Sequence, residues 1–385
     1  MSAHTKPIGI FVHHQGRGHA ERAAALANAM AADVPVRLFS AREDIFPALS
    51  GDIEIVSLPS LFEPDGVAPS ALDDLETPDT LHCAPVGWQQ ITDAVATLTA
   101  WFARERPALF VTDVSAELGQ LARIASVPHM AVLQHGERDD PGHMASYRGA
   151  AGLLAPYARA LEQVGRPPWM TEKTIYAPGI GIDCSSLSSK AEARRKLALP
   201  EDRELVVVVS GGGGTGFPTA PLTIGARFDS RSEWVTLGRV ESEWHETPPA
   251  NLRHLGWVEN PEDWISAADR VVSSAGNTTV HMVASAAKPW VVVPEWRYFA
   301  EQLCKAEALD RAGVAAVSRH WPASGAEWSR LWHAASCLDP EAQRALVKPD
   351  AAKNAAEEIL CLTERLWKVR PPVAHETVKP ELTVV

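Results

Sequence analysis

The residues best able to do chemistry stand where apolar runs give way to glycine. Ile8 to Val12 is such a run, and it passes through His13, His14, Gln15, Gly16, Arg17, Gly18 and His19 into an alanine-rich stretch, Ala20 to Ala32. That order reads as buried strand, glycine turn and helix. A neutral imidazole at this junction can take a proton from a hydroxyl nucleophile, which makes His19 a candidate general base worth about 10²–10⁴-fold in rate. Taken alone, a capping or hinge histidine is the plainer reading. Asp113, after the run Leu109 to Thr112, also has two readings. It accepts the second N–H of such a base, or it caps a helix starting near Ser115. His13 and His14 read as strand-end residues. With no acidic or histidine partner at helical spacing beyond His19, no metal is expected.

Two further strand ends suit an anion. The run Glu204 to Val209 leads through Ser210 into Gly211, Gly212, Gly213, Gly214 and Thr215, and the run Arg270 to Ser273 leads to Gly276, Asn277, Thr278 and Thr279. Glycine lets backbone approach a ligand closely, and the first N–H groups of a helix are free to hold a phosphate. No Gly-Lys-Ser/Thr follows the glycine run, so triphosphate hydrolysis is not indicated. The stretch Gln134 to His143 crowds His135, Arg138, Asp139, Asp140 and His143 at a fourth strand end. It either binds an acceptor or forms a solvated ion-pair loop. Trp257, Trp290 and Trp296 lie near these ends, although in a chain with 13 tryptophans core packing is the default for each.

Those junctions need a scaffold, and apolar runs alternating with helical spacing supply one. Runs at Val36–Phe39, Ile53–Leu58, Leu109–Thr112 and His129–Leu133 alternate with helical stretches at Trp88–Glu105 and Ala116–Ala125, and a further helix is expected around Tyr147 to Val164. Pro59 to Pro85 is a long polar loop, a length that is usually functional. Proline and glycine punctuation at Gly165 to Lys173 reads as a linker. The alternation then restarts from a strand at Thr174–Ala177 and ends in a long helix, Asp350 to Lys368, whose Ala355, Ile359, Leu362 and Leu366 form one buried stripe. The expected organisation is α/β, with two Rossmann-like, doubly wound parallel-sheet domains at 1–168 and 169–345, a helical segment at 346–370 and a tail at 371–385.

Bulk properties narrow the function. A length of 385 residues favours two domains over one core. The net charge of −12 argues against a nucleic-acid partner and weakens a membrane-surface role, while leaving room for a local basic patch and peripheral membrane contact. Five scattered cysteines without a Cys-x-x-Cys pair point to neither a disulfide framework nor zinc. No apolar window reaches the ~18 residues of a membrane span. A cytoplasmic protein is the expectation.

Three blocks together resemble the GT-B glycosyltransferases, and within them the lipid-II-forming N-acetylglucosaminyltransferase (MurG-type) branch. Gln15 to His19 resembles that family's first glycine loop, Val206 to Gly216 its second, and Ser273 to Gln302 its nucleotide-sugar signature, with Gly276, Thr279, Pro289, Pro294 and Gln302 at family spacing. The resemblance implies two domains facing a central cleft, with the final helix crossing back to brace the first. It implies inverting sugar transfer from a nucleoside diphosphate sugar, UDP-linked, to an acceptor hydroxyl, without metal or other cofactor. His19 would be the base. The donor would meet Gly211 to Thr215, Val258, Gly276 to Thr279, Glu301 and Gln302. The acceptor would lie on the first domain near Gly16, Arg17, Gly18, His135 and Arg138. One departure is specific: Met282 occupies the position where the family has a ribose-binding glutamate, and Ala287 replaces a glycine. Methionine cannot accept those hydrogen bonds, a loss of about 1 kcal/mol or more. A UDP-sugar 2-epimerase of the same fold and a non-catalytic nucleotide-sugar binder are the competing readings.

Overall fold

A computed structural model describes residues 6–64, 66, 69–183, 187–211, 214, 216–241 and 247–369. Gly212, Gly213, Thr215 and the expected tail fall outside the described residues.

The first half of the chain runs β1 (Ile8–Phe11), α1 (Arg17–Met30), β2 (Val36–Ser40), β3 (Glu54–Ser57), α2 (Ser70–Asp73), α3 (Gln89–Glu105), β4 (Leu109–Asp113), α4 (Ala116–Ile124), β5 (His129–Val132), α5 (Pro141–Gly149), β6 (Gly152–Ala155), α6 (Pro168–Glu172) and β7 (Thr174–Tyr176). Its strands form a seven-stranded sheet in the order β3-β2-β1-β4-β5-β6-β7. Every pairing is parallel, with Ile10 of β1 set between Leu38 and Val111. Chain order reverses between β1 and β4, so the carboxyl ends of these two strands flank a crevice. That switch point is what brings the residues after β1 to the end of β4.

The second half continues with α7 (Lys190–Lys196), β8 (Leu205–Val209), β9 (Phe217–Pro218), α8 (Thr219–Phe228), β10 (Glu233–Leu237), β11 (Val240–Glu241), β12 (Leu252–His254), α9 (Pro261–Ala267), β13 (Arg270–Ser273), α10 (Asn277–Ala286), β14 (Trp290–Val292), α11 (Glu301–Arg311), β15 (Ala316–Val317), α12 (Gly325–Ser336), α13 (Pro340–Arg344) and α14 (Ala351–Trp367). The main sheet has the order β12-β10-β8-β13-β14-β15, again parallel throughout. Here the switch point lies between β8 and β13, the two strands that precede the glycine loop and α10. Each sheet thus delivers its polar junctions at the place where its topology opens a crevice.

Two expectations are corrected. The segment expected as one helix from Tyr147 to Val164 is instead the end of α5, strand β6 and a short 3-10 turn at Arg159–Leu161. Pairing of β6 with β5 in register Ala131↔Leu153 overrides the local helical spacing. The first domain also does not stop at 168. Pro168 opens α6, where proline's missing N–H costs nothing, and β7 then joins the first sheet in register Leu154↔Ile175. The chain leaves the first sheet only after Tyr176.

Helix α14 belongs to the first domain's core. Its Ala351, Ala355, Ala356 and Ile359 are buried in one cluster with Ile8, Ile10 and Leu38 of the strands and Ala23 and Ala27 of α1. Trp367 at its end donates to the Ala108 carbonyl at 2.9 Å, and Lys6 lies 3.5 Å over the same ring. Among the described residues no helix is long and apolar enough to cross a membrane.

Candidate active site

Gly16, at φ 100, turns the chain out of β1, and α1 begins at Arg17, so His19 occupies its first turn. Across the switch point β4 ends in Asp113, which is buried. The His19 Nδ1 stands 2.8 Å from Asp113 Oδ2. One guanidinium nitrogen of Arg22, one turn further along α1, donates to both Asp113 oxygens at 2.8 Å. The same nitrogen lies 2.9 Å from His19 Nδ1. With the Nδ1 proton donated to Asp113, that last contact is only proximity, and Nε2 is left with its lone pair free to accept a proton. Burial works against ionising Asp113, but the Arg22 guanidinium and the His19 ring beside it hold the carboxyl well below the usual carboxylate range. The helix-cap reading of Asp113 is superseded: Ser115 caps α4, its hydroxyl accepting from Leu118 N at 3.3 Å.

Aromatic rings wall this pair. His13 lies 5.3 Å from His19 and stacks on Phe62 at 4.2 Å, centroid to centroid. Burial, and then the neighbouring His19, pushes His13 down to about 3, so it is uncharged at neutral pH. Phe62 comes from the long loop after β3, and Gln15 donates to Glu63 of that loop at 3.2 Å.

The second domain meets the start of α1 beside the pair. Thr278 in the first turn of α10 donates to Glu21 of α1 at 3.4 Å, and a Cβ on Gly18 would stand 2.9 Å from the same Thr278 oxygen. The N-terminus of α10 therefore faces the first turn of α1. Asn277 Oδ1 and Ser274 Oγ are buried there without a hydrogen-bond partner among the described residues.

Neither a protein-family model nor a curated protein matches the sequence. Solved structures do match in shape over nearly the whole length. They include the glycotransferase of kitacinnamycin, at 16% identity and TM-score 0.60, covering 94% of this chain and 97% of that chain. MurG of Acinetobacter baumannii matches at 15% identity and TM-score 0.58, covering 94% and 99%. Arabidopsis thaliana UGT89C1 complexed with UDP-L-rhamnose matches at 13% identity and TM-score 0.64, covering 93% and 99%. The chain has the GT-B fold.

Within this GT-B frame the residues expected to bind donor take different positions. Gly211 and Gly214 follow β8, and a side chain on Gly214 would run into the Glu295 carboxylate, which pairs with Arg297 at 2.6 Å. Gln302 is buried, and its Oε1 accepts from Ala275 N at 3.0 Å and Glu295 N at 2.9 Å. It ties the loops after β13 and β14 together, leaving only its amide nitrogen for a ligand. Glu301 reaches the first domain, where Arg138 lies 3.4 Å from its carboxylate. Val258 and Met282 are half-buried and pack on the second domain's core, so Met282 neither mimics a ribose acceptor nor opens a polar gap. Trp290 is buried, donating to Ser273 Oγ at 2.9 Å, whereas Trp257 and Trp296 are exposed.

Of the residues expected to meet an acceptor, Gly16, Arg17 and Gly18 form the turn and helix start just before His19, and Arg138 lies at the seam, 4.4 Å over the Phe299 ring. His135 is corrected. It is 0% exposed, its Nε2 lies 2.6 Å from the Leu161 carbonyl, and it packs on Tyr157. It supports the loop without reaching a ligand. Sequence reading missed Arg22, though its i+3 spacing from His19 on a helix was the available signal. It also missed Phe62, which walls His13 from the loop after β3, and Phe299, which packs under Arg138 at the seam.

Proposed function

We propose that this chain transfers a sugar from a UDP-linked nucleoside diphosphate sugar to an acceptor hydroxyl, with inversion at the anomeric carbon. The observation that carries the reading is the His19–Asp113 pair, 2.8 Å apart, placed opposite the N-terminus of α10 at the meeting of two switch points. In this reading His19 Nε2 takes the acceptor's hydroxyl proton as the oxygen attacks the anomeric carbon from the face opposite the diphosphate. The bond to the diphosphate oxygen breaks, and its charge settles at the N-terminus of α10. Asp113 holds the ring in the tautomer this needs and stabilises the imidazolium that forms. The structure of TcCGT1 in complex with UDP, a neighbour at TM-score 0.61, supports the nucleotide half of the reading.

Thermal melting against a panel of nucleoside diphosphates and their sugars tests donor binding without knowledge of the acceptor. Ligand at 100 times Kd stabilises by about 2.7 kcal/mol. UDP and at least one UDP-sugar are expected to raise Tm by a few degrees. A panel in which no nucleotide moves Tm would sink the reading.

A further inference from the structure

At the seam beside the candidate active site, His82, Asp140 and His143 bring three ligand-type atoms within 4.8 Å of one another. We propose that they form a binding site for a divalent transition-metal ion of the zinc class, which clasps the loop after α2 to the N-terminus of α5. The site is separate from the sugar-transfer chemistry and stands or falls independently of it.

The geometry is close to that of a bound ion. His143 Nδ1 lies 2.6 Å from Asp140 Oδ2, and His82 Nδ1 lies 3.6 Å from Asp140 Oδ1, so the carboxylate sits between the two rings. The ring centroids are 4.2 Å apart. A tetrahedral ion with ligands at about 2.0–2.2 Å sets neighbouring donors about 3.3 Å apart, a value these separations bracket. Two imidazoles and one carboxylate suit Zn²⁺, Co²⁺ or Ni²⁺, not the all-oxygen preference of Ca²⁺ or Mg²⁺. His82 and Asp140 are partly exposed, so an ion can enter and a water can complete its shell.

The protein holds these groups in place by other means. Glu117 of α4 accepts from the backbone N–H of both His82 and Cys83 at 2.8 Å. Gln120, one turn on, donates to the carbonyls of Thr80 at 2.7 Å and Gly142 at 3.3 Å. Gly142 has no side chain where one would run into the backbone of Leu81 and His82. Such support of ligands by outer hydrogen bonds is what fixes a metal site's geometry.

One contact opposes the ion. Arg138 Nη1 lies 3.5 Å from His143 Nε2. An ion on Nδ1 takes the place of the proton shared with Asp140, and the neutral ring then carries its one proton on Nε2, facing the guanidinium. Arg138 must then rely on Gln134, at 3.3 Å, and Glu301, at 3.4 Å, which its other terminal nitrogen already meets. The ion would also stiffen the domain seam, because the Phe299 ring packs on His82 at 5.1 Å and on His143 at 5.3 Å.

The test is calorimetric titration of the chelator-treated full chain with ZnCl₂, together with the visible absorption of its Co²⁺ form. The proposal expects one ion per chain and a Zn²⁺-dependent rise in Tm. Binding should weaken at least ten-fold in His82→Ala and in Asp140→Asn, and stay unchanged in His333→Ala, which alters an exposed histidine elsewhere. His82 lies on a loop, so its variant retains the fold, and an unchanged apo Tm checks this. Absence of stoichiometric binding to the wild-type chain, or binding of equal strength in His82→Ala, overturns the site.

Discussion

His19 and Asp113 are far apart in sequence and 2.8 Å apart in the fold, and Arg22 makes that closeness stable. A buried carboxylate between a guanidinium and an imidazole is held ionised well below the usual carboxylate range. Because its folded-state pKa is depressed, the stabilisation is complete above the unfolded carboxyl's value near pH 4 and is lost only as pH falls through the lower folded value. Asp113→Asn removes the charge and leaves Arg22 buried without its ion partner. Stability is expected to fall by about 3–5 kcal/mol in denaturant unfolding. Turnover is expected to fall about 10²–10⁴-fold, because the ring loses the acceptor that sets its tautomer. Lys305 carries the opposite sign. Burial, only partly offset by Glu301, pushes its ammonium down to about 7. Below that pH the cost of the buried charge is present in full. Between about 7 and 10 the unfolded chain binds the extra proton, so stability rises with pH. Lys305→Met should raise Tm at pH 7 and flatten this rise, and a variant with lower Tm across the whole range would contradict the burial argument. His19 was legible because two glycines precede it at a strand end. Arg22 was not, because its role appears only when β4 delivers Asp113 beside it.

At the scale of elements, each junction is set by how a strand ends. The loop after β5 runs at Gly136 with φ 127, where a Cβ would come within 2.8 Å of the Phe299 carbonyl. That carbonyl accepts from Glu137 N at 2.7 Å, a backbone link between the halves. On the other side Phe299 and Ala300 both take left-handed conformations, at φ 61 and φ 52. Such conformations in non-glycine residues cost about 1–3 kcal/mol each and persist only when surroundings impose them. Gly136→Ala is therefore expected to loosen the seam, raising KM for the nucleotide sugar while leaving the far-ultraviolet circular dichroism unchanged. An unaltered KM would show that the seam does not shape the donor site. Most elements were legible from periodicity and punctuation. Strand β6 was missed because Gly152 to Ala155 is short, and only its neighbours in the sheet make it a strand. The linker was misplaced because proline at a helix start and proline in a linker look alike until β7 is seen to pair.

At the scale of the molecule, both sheets use one device, a topological switch point that opens a crevice at the carboxyl ends of two central strands. In the first sheet the device positions a histidine and its carboxylate, and in the second the start of a glycine run and a helix N-terminus. Alternating runs made the two sheets legible, but their mutual placement was not, since it depends on single contacts such as Thr278 with Glu21. The Met282 departure was legible as a missing hydrogen-bond acceptor, and its packing on the core shows that this position has been given over to hydrophobic burial. The most direct measurement of the central claim is release of UDP from a UDP-sugar by the wild-type chain and by His19→Ala, with a panel of hydroxyl acceptors and mass analysis of products. The account predicts acceptor-dependent UDP release, a product one sugar heavier than its acceptor, and a loss of about 10²–10⁴-fold in His19→Ala. Equal rates in the two proteins, or return of the nucleotide sugar as an epimer without acceptor, would contradict it.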